Sequence, residues 1–190
     1  LIKLTEPVSW LCALFHSVST RTAGFASRPI GDFGAPALLV MIVLMFIGAC
    51  AGSTGGGIKV SRILILCKTV RKELHIFLHP NAVKKIKMDG KAIPHEVVRS
   101  TNIFFIVYML IFSSSIFLIA FDDFNLITNF TAVAATFNNI GPGLELVGPT
   151  GNFGMFSWFS KLILTFDMLA GRLEIFPLLI LFVRDTWKKF

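Results

Sequence analysis

Long apolar runs separated by short polar turns organise this chain. Residues 33–58 contain no Asp, Glu, Lys or Arg, and neither do residues 100–121. A helix that crosses a membrane takes about 20 such residues. Residues 8–17 predict a shorter apolar helix, which at about 1.5 Å per residue cannot span. It leads into VSTRTAGF (residues 18–25), a small and polar stretch without helical pattern, and Pro29, Gly31, Gly34 and Pro36 mark an irregular turn. A helix is expected over residues 35–50. Five glycines between Gly48 and Gly57 then interrupt it, each costing about 1 kcal/mol in a helix relative to Ala. A basic helix resumes over residues 58–74. The pattern is that of a membrane helix with an unwound middle, tolerated at membrane depth only where protein buries it or it lines a wet cavity.

The second part follows a similar plan. Residues 75–94 predict a polar loop, and residues 99–121 an unbroken span ended by Asp122 and Asp123. Residues 126–135 predict a second short apolar helix. It runs into TFNNIGPG (residues 136–143) and a Gly/Pro-rich turn through Gly154. Residues 158–183 predict the last span and residues 184–190 a basic tail. Each half thus has a short helix, a polar turn ending in Gly24 or Gly141, a loop, and a long helix interrupted near Gly52–Gly57 with Lys59 or at Gly171 with Arg172. The repeat lies in layout more than in letters.

Composition supports the membrane reading. The chain is 54% hydrophobic and 15% charged, against about a quarter charged in soluble domains; its mean hydropathy is +0.74. Disorder is excluded. The net charge of +7 is uneven: residues 59–99 hold ten Lys or Arg against Glu73, Asp89 and Glu96. A basic stretch of this kind could bind nucleic acid, but it lacks the interleaved aromatics that stack on bases. Flanking apolar spans favour a cytoplasmic loop held inside by its charge. The span after it then runs outward, the last one returns, and Lys188 and Lys189 also lie inside. Both short helices dip in from outside and return. The three cysteines, Cys12, Cys50 and Cys67, predict no disulfide framework. Opening on Leu1 without an apolar leader, the sequence reads as continuing from an earlier part of a longer protein.

The two polar turns carry the candidate chemistry. A dehydrated alkali cation needs a cage of neutral oxygens, which backbone carbonyls supply. Aiming successive carbonyls inward takes small residues and a Gly that tolerates unusual dihedrals. Thr20, Arg21, Thr22, Ala23 and Gly24 fit, as do Asn138, Asn139, Ile140 and Gly141. The C-terminal end of a short helix adds partial negative charge there. The bland alternative is an ordinary Gly-terminated helix cap. Two such turns between membrane spans favour the pore. Arg21 is expected to point behind the filter, toward an acid or carbonyls; if it pointed at the ion, it would suit an anion pathway.

GSTGGGIK (residues 52–59) departs from the phosphate-loop pattern, because Ile58 separates the Gly from Lys59 and no strand precedes it. It reads as a flexible plug, or as a packing motif of small residues. Asp167, Arg172 and Glu174 lie within the last apolar span, where charges face a pore or one another. Arg172 is equally an electrostatic barrier or part of a buried ion pair; a structural ion pair is favoured for Asp167 and Glu174. His16 is expected to be a buried, hydrogen-bonded histidine. No nucleophile–base pair, paired carboxylates or metal-ligand spacing is evident, so no enzyme, cofactor or bound catalytic metal is predicted.

STRTAGF (residues 19–25), GACAGSTGGGIKV (residues 48–60), FNNIGPGL (residues 137–144) and GRLEIFPLLIL (residues 171–181) resemble the TrkH/TrkG/KtrB family of potassium uptake proteins, which includes the plant and fungal HKT and Trk transporters. The resemblance implies an all-α integral membrane protein: helix–pore loop–helix repeats, re-entrant pore helices and a Gly-broken membrane helix around one central pore. Residues 1–74 would be the pore loop and broken second helix of repeat three. Residues 75–98 would be a basic cytoplasmic loop, and residues 99–190 a complete repeat four. The resemblance makes Thr20 to Gly24 and Asn138 to Gly141 filter residues that carry K⁺. It makes Gly48, Gly52, Ser53, Thr54, Gly55, Gly56 and Gly57, with Lys59, an intramembrane gating loop, and it tips Arg172 toward gate. It implies K⁺ uptake, Na⁺ in some members. It also implies a homodimer in the lipid bilayer of the bacterial cytoplasmic membrane, C-terminus inside, above nucleotide-binding regulatory subunits of TrkA/KtrA type. By the same resemblance, the first helix of repeat three and all of repeats one and two would lie outside this sequence, and with them two filter quarters. Alternatives are a non-conducting membrane scaffold, a nucleotide-using membrane ATPase, or a sodium-permeable relative.

Overall fold

The computed structural model describes residues 10–53, 55–80, 85–88, 90–173 and 180. Among them run six helices: α1 (Trp10–Ser19), α2 (Ala35–Phe46), α3 (Val60–Leu78), α4 (His95–Ile119), α5 (Leu126–Phe137) and α6 (Trp158–Leu173). Pro36 sits in the first turn of α2, where a missing N–H costs nothing. Pro94 precedes α4, and Asp123 stops it in the left-handed region at φ 55°. The stretch His95–Asp122 is long and apolar enough to cross a membrane. Helix α5 has 12 residues, about 18 Å, well short of a bilayer core.

Helix α5 is the most enclosed element: Thr128, Asn129 and residues 131–137 are all buried. It packs against α4 and α6. Its hydroxyls are satisfied locally, Thr131 donating to Ile127 O at 2.7 Å and Thr136 to Ala132 O at 2.9 Å. Aromatic rings fill the space between helices. Phe112 of α4 meets Phe46 of α2 at 5.2 Å and Phe130 of α5 at 5.4 Å, while Tyr108 meets Phe137 at 4.6 Å. Glu145 ties the following loop back to the start of α5, its carboxylate accepting from Asn125 Nδ2 at 3.1 Å and Thr128 Oγ1 at 3.0 Å. A carboxylate at a helix N-terminus is favoured by the dipole.

Several boundaries differ from the sequence expectation. The break between α2 and α3 starts at Ile47 rather than after Cys50, because Ile47 and Ile58 form a parallel bridge that closes the neck of the glycine-rich loop. Helices enter the expected 75–98 loop from both ends, leaving residues 79–94 between α3 and α4. That connection is not purely irregular, nor is the chain purely helical: β1 (Lys87–Met88) and β2 (Lys91–Ala92) form a short antiparallel hairpin. Gly90 turns it at φ 77°. The second short helix extends to Phe137, two residues beyond expectation. Of the predicted last span and basic tail, residues 174–179 and 181–190 lie outside the described residues, Glu174 among them.

Replacing Phe112 by Ala removes a ring from the α2–α4–α5 junction. A loss of about 3 kcal/mol is expected, read as a lowered Tm of the detergent-solubilised protein.

Candidate functional site

The two polar turns share a backbone geometry that their letters hide. In the first, Thr22 (φ 69°) and Gly24 (φ 74°) are left-handed; in the second, Asn139 (φ 53°) and Gly141 (φ 105°) are. Each turn thus has positive φ at its Gly and two residues earlier. A β-branched Thr is rarely found there, and such residues cost about 1–3 kcal/mol unless their surroundings enforce them.

The cap alternative can be tested at the second turn. Asn139 N donates to Thr136 O at 3.0 Å and Ile140 N to Ala135 O at 2.8 Å. With Asn139 left-handed, this is a complete Schellman end to α5. Asn139, not Gly141, does the capping. The positive φ of Gly141 lies beyond the cap, and a Cβ there would meet nothing within 4 Å. At the first turn Ser19 O accepts from both Ala23 N (3.1 Å) and Gly24 N (2.9 Å), ending α1.

Three separate segments meet the C-terminal turn of α5. A Cβ on Gly24 would collide with Ile140 O, and one on Gly171 with Phe137 O. A Cβ on Gly56 would lie 2.5 Å from Asn138 O, and one on Gly57 2.9 Å from Asn138 Oδ1. The predicted filter turns, the glycine-rich loop and Gly171 are therefore brought together at three carbonyls; the interruption expected at Gly171 and Arg172 is not found, since α6 stays helical through both to Leu173 and Gly171 serves close approach instead. The loop is tight at its neck: Gly48 N donates to Ile58 O at 2.9 Å, and a Cβ on Gly48 would strike Gly56 O. Gly55 sits beside Thr22, its Cβ position 3.0 Å from Thr22 Oγ1. The tip is exposed at Ala51, Gly52 and Ser53, where Ser53 Oγ donates to Cys50 O at 2.7 Å. Thr54 lies outside the described residues. Lys59 precedes α3 as its N-cap, without a side-chain cap bond.

Arg21 bonds to backbone outside its own turn. Its Nε donates to Ile47 O at 3.3 Å and its Nη2 to Gly48 O at 3.1 Å. Of the two partners expected, carbonyls rather than an acid receive it, and they belong to the neck of the glycine-rich loop. Thr20 Oγ1 donates back to Ser17 O at 3.0 Å, and Ala23 is exposed.

Asn138 is fully buried. Its Nδ2 donates to Ala134 O, and its Oδ1 accepts from the Tyr108 hydroxyl, both at 2.8 Å. Asn139 Nδ2 donates to Met168 O of α6 at 3.1 Å. Sequence reasoning missed Tyr108. The available signal was a single Tyr in a chain with 20 Phe, a hydroxyl placed where plain rings otherwise suffice. Asp167 is also fully buried, and among the described residues its partner is the Ser115 hydroxyl at 2.8 Å rather than the expected cation. His16 is buried as expected but not hydrogen-bonded: among the described residues neither ring nitrogen has a partner, and the ring packs on Phe33 at 4.9 Å. Arg172 ends α6 beside Gly171, its side chain exposed.

Tyr108→Phe leaves the buried Asn138 oxygen without its donor. It is expected to cost about 1–3 kcal/mol, measured as a drop in Tm; an unchanged Tm would mean that the hydroxyl does not satisfy Asn138.

A family model described as TrkH, cation transport protein, matches residues 4–189. The Trk system potassium uptake protein TrkH of Salmonella typhimurium is 42% identical over 181 residues, covering 93% of this chain and 36% of that protein. The protein of that name from Vibrio parahaemolyticus is 44% identical over 179 residues, with the same coverage. The crystal structure of the potassium transporter TrkH from Vibrio parahaemolyticus matches with a TM-score of 0.83 at 41% identity, covering 93% of this chain and 37% of that one. The chain spans 36% of the length of these curated relatives.

Proposed function

The chain belongs to the TrkH family of cation transport proteins, and from that premise we propose that it supplies part of a K⁺-uptake pore in a bacterial inner membrane. The observation that carries this reading is the pair of turns with matching left-handed residues, Thr22/Gly24 and Asn139/Gly141, packed together where Gly24 meets Ile140 O. Alternating left-handed residues let consecutive carbonyls face one way, as a cage for a dehydrated cation requires. The proposed K⁺ ligands are carbonyls of Thr20 to Gly24 and of Asn138 to Gly141. Helices α1 and α5 are pore helices that enter and leave on one side, their C-terminal dipole ends favouring a cation. The relatives are named for potassium uptake, which supports K⁺ as the ion carried. No covalent step is involved and no cofactor is needed. The proposed domain division, dimer, regulatory subunits and inward C-terminus follow the family resemblance.

The glycine-rich loop is proposed to close the path beneath the turns, with Arg172 as a positive barrier. Contacts at Asn138 support that position. The same contacts favour a second reading of its glycines: Gly48, Gly56 and Gly57 are needed for close packing whether or not the loop moves. The exposed tip at Gly52 and Ser53 is the part free to act as a plug.

The reading is tested by rubidium and sodium uptake in a potassium-transport-deficient bacterium expressing the gene that encodes this chain. Gly141→Ser is expected to erode the K⁺ over Na⁺ preference; a membrane-inserted variant with unchanged preference would remove Gly141 from the filter. Shortening the loop tip at Gly52 and Ser53, or Arg172→Ala, is expected to raise flux several-fold. Unchanged flux in both would leave the loop a packing element only.

A further inference from the structure

A large cavity opens far from the polar turns, between α3, α4 and the hairpin. Its volume is about 920 Å³, and its charged lining is Lys72, Lys85, Arg99 and Glu73, with His95 at the rim. Among the described lining residues three positive charges face one negative, and Glu73 lies 3.7 Å from Lys72. The hairpin is fixed as one wall. Ile86 and Ile93 pack with Ile65 of α3 and Val98 of α4, Lys68 Nζ donates to Lys87 O at 2.7 Å, and Ile93 N donates to Ile86 O at 2.8 Å.

The lining changes character along α4. His95, the buried Val98 and Arg99 come first, then Asn102, then Ile103 and Ile106, which remain 41% and 58% exposed. From Arg99 to Ile106 is seven residues, about 10 Å of helix rise. Ile76 of α3 adds to the apolar wall. The basic end lies beside the polar connection and the apolar end runs into the stretch that can cross a membrane. A soluble anion would use only the first part and leave the isoleucines in water. A soluble protein would meet the basic rim but not the wall along the span. A molecule with an anionic head and an apolar tail satisfies both.

We propose that this cavity binds an anionic phospholipid, its phosphate held by Lys85 and Arg99 with Lys72 beside them, and its upper acyl chain lying on Ile103 and Ile106. Basic pockets between membrane helices hold anionic headgroups by this chemistry. The site goes beyond the proposed ion path and rests only on α4 being a membrane span.

The test is native mass spectrometry of the delipidated protein in neutral detergent, titrated with phosphatidylglycerol or phosphatidylcholine of identical chains, and separately with inorganic phosphate as competitor. Wild type is expected to retain phosphatidylglycerol about tenfold better than phosphatidylcholine. Lys85→Gln/Arg99→Gln is expected to bring the two lipids level, and Ile106→Asn to weaken both. These side chains are exposed, and an unchanged Tm shows that each variant is folded. Equal retention of both lipids by wild type, or undiminished preference in the double variant, overturns the proposal. So does displacement of the lipid by millimolar phosphate, which would make this a free-anion site. A soluble protein that co-purifies with wild type in place of lipid, and is lost from the double variant, overturns it in favour of a protein dock. Extraction from membranes by alkaline carbonate would remove the span itself, a failure distinguishable from loss of lipid preference in a carbonate-resistant protein.

Discussion

Everything in the centre of this structure depends on how closely other backbone can approach the last turn of α5. Phe137, Asn138 and Ile140 present carbonyls to three different segments, and each segment meets them with a glycine: Gly171, Gly56 and Gly24. A methyl group at any of the three positions would have to displace backbone. Close-packed interiors do not absorb such shifts cheaply, because the neighbouring atoms are themselves in contact. The glycines are therefore less a source of looseness than a set of matched surfaces. They let α6, the glycine-rich loop and the first turn converge on one point.

The turn that receives them is held from behind. Tyr108 reaches Asn138 from α4, Asn139 reaches Met168 on α6, and the aromatic cluster around Phe112 and Phe137 fills the remaining space. A buried amide bonded through both its nitrogen and its oxygen has one low-energy orientation, since flipping it strands a donor or acceptor away from water. The side chain of Asn138 thus fixes its own backbone, and through it the surface that the glycines read. Strained dihedrals at Thr22 and Asn139 persist because the surroundings leave them no better choice.

Much of this was legible in the sequence, and the parts that were not share a cause. Charge-free runs gave α2 and α4, and Gly clusters gave the break, because helix propensity and membrane length are local properties. The start of the break was misjudged because Ile47 leaves the helix to pair with Ile58, eleven residues later. No local pattern encodes that pairing. The hairpin at residues 87–92 was passed over because two-residue strands carry no alternation to detect. Arg21 was expected to find an acid or carbonyls, and its partners are carbonyls freed only where α2 unwinds. Asp167 and His16 illustrate the reverse error. Burial was foreseen, while the neighbour that defines the chemistry, a Ser115 hydroxyl or a Phe33 ring, depends on tertiary packing.

The Arg21 contacts also bear on how the glycine-rich loop is coupled to the first turn. Two hydrogen bonds from a guanidinium join the first turn to Ile47 and Gly48, at the hinge end of the loop and not at its tip. Bonds from a charged donor are stronger than neutral ones. The Gly48 N–Ile58 O bond closes the same neck from the other side. A displacement confined to the exposed tip at Gly52 and Ser53 leaves all of these intact, whereas opening the neck would break them and withdraw support from the backbone around Thr22. The arrangement therefore separates two kinds of motion. The tip can be displaced at little cost with the turns undisturbed, and only a larger opening would change the turns themselves.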